Sequence, residues 1–162
     1  MQSIVFKTRM GWMAAACTGK GVSRVILPVS KKVEAVRLLG GDCDAKSNSS
    51  LLLRLRDDLI RYFNGERVAF QKYPLDYGKA TRFQKKVWSA ARKIPYGAKI
   101  TYGRLAAKAC SPAACRAVGQ AMNHNPMPVL VPCHRVVACD GLGGFACGTD
   151  LKAKMLIMEY KR

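Results

Sequence analysis

The stretch that most constrains this fold is residues 129–137, with the sequence VLVPCHRVV. Two blocks of apolar, mostly β-branched residues enclose a polar triplet, and such blocks are typical of buried, strand-like backbone. Pro132 fixes φ and removes a backbone donor, so we expect a stiff turn that holds Cys133 and His134 at the edge of a core. A neighbouring base or cation can turn a thiol into a nucleophile, but free cysteines are more often buried and unreactive. This stretch alone leaves both interpretations open.

Positive charge dominates the chain and increases towards its C-terminal half. Lys and Arg number 28 against 10 Asp and Glu, a net charge of +18. Residues 79–162 hold 15 basic and 3 acidic residues, a net charge of +12. Such a field favours a phosphate backbone, an anionic membrane surface or an acidic partner, although a generically basic protein remains an alternative. No apolar run approaches the roughly 20 residues of a membrane span, and the N-terminus lacks a signal-peptide pattern. We therefore expect a cytoplasmic protein without membrane contact.

The seven cysteines are expected to be mostly thiols, because the cytoplasm is reducing. Cys110 and Cys115 form the pair to check first for a disulfide, since intracellular disulfides occur in hyperthermophiles. We expect no metal site, because the sequence contains no CxxC pair and only two histidines, His124 and His134.

The N-terminal part is predicted to be an α/β domain over residues 1–75, with a small antiparallel sheet plus helices. Short apolar segments at residues 3–8, 12–17 and 23–29 are separated by glycine-containing turns, which predicts a three-stranded meander. Ser30 is a candidate N-cap for a helix over residues 31–39, and a second helix is predicted over residues 51–64. The apolar positions of these segments are interpreted as core.

Residues 76–80 are predicted to form a linker, followed by a mostly helical domain over residues 81–162. Thr81 is a candidate cap for its first helix. Two further short helices, over residues 101–109 and 112–122, are separated by Cys110-Ser111-Pro112, with Ser111 as the expected N-cap. Two helices joined by a three-residue turn in a basic region form a helix-turn-helix candidate, of a winged-helix-like type.

The order of several motifs is more specific than any one of them. Their order and spacing over residues 81–160 closely resemble those of the O6-alkylguanine-DNA alkyltransferases, the methylated-DNA–protein-cysteine methyltransferases. Residues 1–75 match that family only loosely. The motifs that carry the resemblance are IPYG (94–97), TYGRLA (101–106), RAVG (116–119), NP (125–126), PCHRV (132–136), GGF (143–145) with Gly148, and the segment from Lys152 to Glu159.

The resemblance implies a role for each matching residue of the reaction centre. Cys133 would accept an alkyl group from O6 of guanine, once per molecule and without a cofactor. His134 would act as base towards the thiol through a water, and Glu159 would orient His134, in the manner of a hydrolase triad. Asn125 would organise the cysteine turn, and Tyr102 would donate a proton and contact a phosphate.

The resemblance also implies the DNA contacts. Arg116 matches the finger that fills the base stack after the damaged base is flipped out. Tyr102, Ala117, Gly119 and Arg135 complete the expected DNA-binding set, although Arg135 is also a candidate structural residue. The implied partner is double-stranded DNA that carries O6-alkylguanine, and the implied state is a monomer.

Three departures from the family pattern affect the expected substrate range. Phe145 replaces a common tyrosine, Cys147 stands where a small residue is usual, and the segment from Asp140 to Phe145 is one residue shorter. No counterpart of the zinc site that some relatives carry in their N-terminal domains is expected, because no histidine precedes His124.

Two other functions compete with alkyl transfer. A papain-type hydrolase is disfavoured, because its cysteine and histidine normally lie far apart in sequence, whereas here they are adjacent. A non-catalytic protein is the second alternative, either a helix-turn-helix DNA-binding protein or a sensor of alkyl lesions that has lost the reactive cysteine. The presence of Cys133 argues against such a sensor.

Overall fold

The computed structural model of the chain describes residues 1–41, 49–109 and 113–160. It divides into two units, Met1–Gly78 and Lys79–Arg162. Each unit has its own elements and its own buried side chains. The predicted fold class is confirmed: a small antiparallel sheet with helices is followed by a mostly helical unit.

A three-stranded antiparallel meander opens the first unit, as the apolar segments predicted. Its strands are β1 (Gln2–Thr8), β2 (Gly11–Thr18) and β3 (Gly21–Val29), in the spatial order β1-β2-β3. Ile4 pairs with Ala15, and Ala15 pairs in turn with Val25. The middle strand is buried from Met13 to Cys17, on alternate sides of the sheet. Both faces of the meander are therefore covered.

One helix packs on each face of this sheet. Helix α1 (Lys32–Leu39) brings Ala35 and Leu39 against Val5, Ala14 and Ala16. Helix α2 (Ser50–Phe63) packs against β1 and β2. Side chains alternate along a strand, so the buried residues next to Val5, Ala14 and Ala16 point to the opposite face of the sheet, which α2 covers. This arrangement explains why β2 reads as a continuous apolar run.

The start of α1 differs from the prediction, whereas the start of α2 follows the expected capping chemistry. The N-cap of α1 is Lys31, with an extended backbone and no side-chain cap, not Ser30. The amides of Glu34 and Ala35 both donate to the carbonyl of Lys31, so Ser30 lies one residue too early to cap the helix. Ser49 caps α2, since its hydroxyl accepts from the amide of Leu52 at 3.4 Å.

A buried carboxylate attaches the chain after α2 to the first unit. Asp58 is 7% exposed and accepts a hydrogen bond of 2.7 Å from the hydroxyl of Tyr73. Lys72 forms an ion pair with the same carboxylate oxygen at 2.6 Å, and Arg61 approaches the other at 3.3 Å. Burial alone would raise the pKa of Asp58, but the hydrogen bonds and charges of these partners hold it below its ordinary value. The carboxylate is therefore ionised and anchors Tyr73.

The residues just before and at the start of the predicted linker are also held in the first unit. Val22 donates to the carbonyl of Pro74 at 2.9 Å, and Asp76 donates to the carbonyl of Val22 at 2.8 Å. Gly21 has φ of 142°, and a Cβ there would collide with the carbonyl of Pro74. The close approach of these two chain segments thus requires glycine at this position.

The described residues of the second unit form four α-helices and a short parallel strand pair. Helices α3, α4 and α5 contact one another, and Trp88 of α3 donates from its indole nitrogen to the carbonyl of Ala121 in α5 at 2.9 Å. Among the described residues, no helix has the length and apolar character to span a bilayer. The elements of the unit are α3 (Arg82–Ala91), β4 (Ile100–Thr101), α4 (Tyr102–Lys108), α5 (Cys115–Asn123), a 3₁₀ turn (Cys133–Arg135), β5 (Val136–Val137) and α6 (Thr149–Tyr160).

Two local predictions for this unit are wrong. Helix α5 begins at Cys115 rather than at residue 112, with Ala114 as its N-cap and no side-chain cap. The expected N-cap Ser111, the flanking Pro112 and the Cys110 half of the proposed disulfide lie outside the described residues. The block at residues 129–131 is buried but is not a strand, because the amide of Val131 donates to the carbonyl of Met127 at 2.9 Å and closes a turn. Only Val136–Val137 pairs as strand, parallel to β4.

Thr81 gives a direct test of the local stability of α3. It forms a capping box: the Thr81 hydroxyl accepts from the amide of Gln84, and the Gln84 side chain accepts from the amide of Thr81 at 2.9 Å. We expect Thr81→Ala to lower the unfolding free energy by about 1 kcal/mol in urea denaturation, because one helix-end donor loses its partner. Thr81→Ser keeps the hydroxyl and should lower the unfolding free energy by only a few tenths of a kcal/mol. An equal loss in both variants would contradict the capping role.

Candidate active site

The cysteine lies in a tight turn that the neighbouring proline favours. Pro132 has φ of −78° and ψ of 68°, and the amide of Cys133 donates to the carbonyl of Val131 at 2.8 Å. These values describe an inverse γ-turn, for which the proline ring fixes φ in advance. The next residues continue as a 3₁₀ turn, closed by the bond from the amide of Arg135 to the carbonyl of Pro132 at 3.0 Å. Cys133 is 7% exposed at the resulting corner.

Asn125 holds this corner from outside the turn. Its side-chain amide donates to the carbonyl of Val131 at 2.8 Å, and its side-chain oxygen accepts from the amide of Met127 at 3.0 Å. Val129, between these points, has a positive φ of 74°, which is strained for a β-branched residue. A hydrogen bond from Asn125 to the thiol of Cys133 also favours the thiolate. Asn125 therefore supports both the backbone and the sulfur.

His134 and Arg135 both bind one buried carboxylate on α6. Nε2 of His134 lies 2.8 Å from Oε1 of Glu159, and both side chains are fully buried. Arg135 donates from Nη2 to Oε1 and from Nε to Oε2 of Glu159, each at 2.9 Å. The backbone amide of Gly97 donates to Oε2 at 3.1 Å. Because a carboxylate only accepts, the hydrogen of neutral His134 is on Nε2, and Nδ1 carries the basic lone pair of the ring.

Arg135 does not lie where the sequence suggested. Its side chain is buried, its Nη1 donates to the carbonyl of Ile94 at 2.8 Å, and its guanidinium lies 5.7 Å from the ring centre of Tyr96. A guanidinium engaged in this way cannot also contact DNA without leaving Glu159. The geometry favours a positioning role for Arg135, not the DNA contact that was expected.

The electrostatic state of the site is neutral thiol, neutral imidazole and ionised carboxylate. Burial raises the pKa of Cys133 to about 11, although Asn125 and the charge of Lys152 act in the opposite direction. Burial lowers the pKa of His134 more than Glu159 raises it. Burial alone would raise the pKa of Glu159, but hydrogen bonds from His134 and Arg135 hold it far below its ordinary value. The thiol therefore needs a base at the moment of reaction, rather than existing as a resting thiolate.

Lys152 is a further residue of this site, which the sequence marks only as the start of the segment from Lys152 to Glu159. Its side chain is fully buried, and Nζ donates to the carbonyl of Val136 at 2.7 Å and to that of Gly144 at 3.1 Å. Burial lowers the pKa of Lys152, whereas a negative charge on Cys133 would raise it. A usable signal existed in the sequence, because Lys152, Met155 and Glu159 recur on one helical face that is otherwise apolar. The buried ammonium would stabilise negative charge that forms on the sulfur.

Tyr102 begins α4 and faces the same region as Lys152. Its hydroxyl donates to the carbonyl of Gly144 at 3.2 Å, and the ammonium of Lys152 lies 5.8 Å from its ring centre. Gly143 has φ of 67°, and a Cβ there would lie 3.0 Å from the Tyr102 ring. Burial, followed by the charges of Cys133 and Cys115, raises the pKa of Tyr102. The hydroxyl is thus neutral and able to donate.

Three of the expected DNA-binding residues, Arg116, Ala117 and Gly119, lie on the open surface of α5. Arg116 and Ala117 are exposed, and Gly119 is half-buried with open space where a Cβ would point. The opposite face of the helix, with Val118, Ala121 and Met122, is buried. Helix α5 therefore presents small residues and one cation to solvent.

Two of the three departures from the family pattern, Phe145 and Cys147, lie near Lys152 and Cys133 respectively. Phe145 is half-buried, with its ring centre 5.8 Å from the ammonium of Lys152. Cys147 is exposed, and a negative charge on its sulfur would raise the pKa of Cys133 further. Cys115 is a free thiol.

These features define a class of protein in which a helix-turn-helix unit carries a buried cysteine–histidine–glutamate site. The family described as "6-O-methylguanine DNA methyltransferase, DNA binding domain" matches residues 82–161. The methylated-DNA–protein-cysteine methyltransferase of Methanosarcina acetivorans is 46% identical over 102 residues, which are 62% of this chain and 64% of that protein. The corresponding protein of Methanosarcina mazei is 40% identical over 117 residues, 72% of this chain and 73% of that protein. The alignment thus covers slightly less than two thirds of the first of these relatives.

Two solved structures from Mycobacterium tuberculosis match over almost the whole chain. The O6-methylguanine methyltransferase of Mycobacterium tuberculosis is 31% identical with a TM-score of 0.80, over 99% of this chain and 93% of that one. A second M. tuberculosis structure, of OGT in complex with DNA, has a TM-score of 0.81 and 30% identity over 99% and 94% of the two chains. This chain belongs to the O6-methylguanine-DNA methyltransferase family.

The state of the thiol can be measured directly. We expect the rate at which iodoacetamide alkylates Cys133 to rise with pH up to an apparent pKa of about 11, because burial disfavours the thiolate. Below that pH the Cys133 thiol is protonated, so its alkylation at neutral pH should be slow. Quantitative peptide mass spectrometry at each pH measures the rate, with the exposed Cys139 in the same digest as an internal reference for the reagent. A plateau near pH 7 would mean that the resting site holds a thiolate.

Proposed function

We propose that this protein repairs DNA by direct reversal, moving a methyl or other alkyl group from O6 of guanine to Cys133. One observation carries the proposal. The two residues that follow Cys133, His134 and Arg135, both bind the buried carboxylate of Glu159, within a chain of this family. The names of the relatives describe the same reaction for those proteins. The proposed substrate is O6-alkylguanine in double-stranded DNA, and the proposed acting form is an intracellular monomer.

The first part of the reaction forms the nucleophile. His134 accepts the proton of the Cys133 thiol through a water, and Glu159 stabilises the resulting imidazolium. The thiolate sulfur then attacks the alkyl carbon, a carbon–sulfur bond forms, and the bond from that carbon to O6 breaks. The electron pair of the broken bond stays with guanine. Lys152 and Asn125 support this step because both favour negative charge on the sulfur.

The second part concerns the leaving group. Guanine leaves more easily if a donor neutralises the charge that develops on its ring. The hydroxyl of Tyr102 fits this donor role. Its raised pKa keeps the hydroxyl protonated, and the charge of Cys133 contributes to that raised pKa, which indicates that the two groups are close. The product on the protein is a thioether, which no group in the reaction cleaves. Each molecule therefore reacts once.

Access to O6 requires that the base leave the duplex. Extrusion costs a few kcal/mol, and less for a weakly paired, damaged base. Arg116 on the exposed surface of α5 is the proposed finger that occupies the gap, and Ala117 and Gly119 allow close approach of the DNA backbone. The net charge of +12 over residues 79–162 gives affinity without sequence preference, which suits a protein that surveys any sequence.

Mass spectrometry of the reacted protein tests the proposal. After incubation with duplex DNA that contains O6-methylguanine, we expect one added methyl group per protein, on the peptide that contains Cys133. Cys133→Ser should abolish the mass increase but retain DNA binding. Cys139→Ser is the matched control, since that cysteine is exposed, and it should react fully.

Three outcomes would point elsewhere. Methyl on another cysteine would refute the assigned acceptor. Repeated turnover without labelled protein would favour a hydrolase. Lesion-dependent binding with no mass increase would favour the non-catalytic sensor.

The finger role of Arg116 predicts a difference between two substrates. We expect Arg116→Ala to slow methyl transfer from duplex DNA by at least about tenfold, because the extruded state loses its filler. Transfer from the free O6-methylguanine base should fall less, since no extrusion is needed. Single-turnover rates measured on both substrates give the comparison, and Arg116→Lys tests whether charge alone suffices. Equal defects on the two substrates would rule out a finger.

A further inference from the structure

A basic cavity lies between α3 and α4, outside the reaction centre. It has a volume of about 460 Å³, and its walls include residues from α3, from α4 and from the loop at residues 92–99 that joins α3 to β4. Four cations line this cavity: Lys93, Lys99, Arg104 and Lys108. The other lining residues are small or aliphatic, and no aromatic side chain contributes to the lining.

A second cavity continues the first along α3. Its volume is about 390 Å³, and it shares Ala90, Lys93 and Lys108 with the first cavity. The two cavities therefore form one depression, which we call the basic groove. The second cavity adds three more cations from α3: Arg82, Lys85 and Lys86.

The charge of the basic groove is concentrated and not neutralised by the protein. Seven of the 15 basic residues in positions 79–162 line it, and none of the three acidic residues does. Within the described ranges, none of these seven forms an ion pair, since the ion pairs of this unit are confined to Glu159. Seven like charges along one depression repel each other and favour a polyanion with several charges in a row.

The shape and lining of the basic groove identify the kind of polyanion. Helix α3 has ten residues and is about 15 Å long, and one strand of B-DNA presents about four phosphates over that distance. Single-stranded nucleic acids bind through aromatic side chains on which the bases stack, and the groove has none. The lining therefore fits a sugar–phosphate backbone whose bases remain paired.

The basic groove is separate from the surface proposed for the lesion. On α4, Arg104 and Lys108 are one turn apart and line the groove, whereas Tyr102, which the proposed reaction uses, lies about 160° around the helix from Arg104. Arg116 of α5 is not part of the lining. We infer that the basic groove is a second DNA contact surface, which binds the backbone of double-stranded DNA in addition to the contacts of α5. The inference rests on the proposed function in that its ligand is DNA.

Salt dependence of binding tests this inference without any chemistry. The probe is an undamaged, fluorescently labelled 30-base-pair duplex, and the variant is the full chain with Lys93→Gln, Lys99→Gln and Lys108→Gln. Each lost phosphate contact lowers the slope of log affinity against log salt by about 0.9, so we expect the slope to fall by about 2 to 3. At 50 mM salt the affinity should fall at least about tenfold.

The matched control removes three exposed charges from the first unit, by Lys20→Gln, Arg24→Gln and Lys31→Gln. It lowers the net charge equally, and we expect its slope to change by less than about 1. Circular dichroism checks that both variants are folded. Equal slopes for the two variants would overturn the inference, as would a loss seen with single-stranded oligothymidine but not with the duplex. Absence of methyl transfer by the unmodified protein would instead refute the proposed function, because the slopes on undamaged DNA do not depend on Cys133.

Discussion

The carboxylate of Glu159 is the group on which the rest of the site depends. It accepts hydrogen bonds from His134, from two nitrogens of Arg135 and from the amide of Gly97. A buried carboxylate without partners is destabilised by several kcal/mol, so helix α6, the 3₁₀ turn and the loop before β4 are stable only when assembled around it. Because Cys133 immediately precedes His134 in that turn, fixing the carboxylate also fixes the thiol.

This arrangement produces a thiol that is unreactive at rest. Because burial raises its pKa to about 11, Cys133 is a neutral thiol at pH 7. A protein that reacts once would be wasted by adventitious oxidants and alkylating agents, which attack thiolates rather than thiols. In the proposed mechanism, the neutral His134 removes the proton only as the sulfur attacks, and the buried carboxylate then pairs with the imidazolium. Under that proposal, the thiol reacts only when a carbon electrophile lies beside it.

The sequence predicted the elements whose signal is local. The meander, α2 and α3 follow from apolar periodicity, glycine turns and, for α3, the capping side chain of Thr81. Local apolar periodicity did not predict the backbone of residues 129–131, because apolar β-branched residues favour a strand. The turn there is held by a side-chain hydrogen bond from Asn125, and only the family resemblance pointed to that role. Arg135 illustrates the same limit for the site. An arginine in a basic unit resembles a DNA contact, and only the fold brings it to Glu159, which is 24 residues away.

The buried ammonium of Lys152 destabilises the folded protein but favours the proposed reaction. A buried ammonium that binds only two carbonyls and has no carboxylate partner among the described residues is unfavourable for folding. Its apolar surroundings reduce screening, however, so its charge acts strongly on nearby groups. The sulfur of Cys133 is such a group, and it gains negative charge only during the transfer. In the proposed reaction, the ammonium would therefore stabilise the transition state more than the resting protein, and this difference, rather than a contribution to folding, would account for a cation on the buried face of α6.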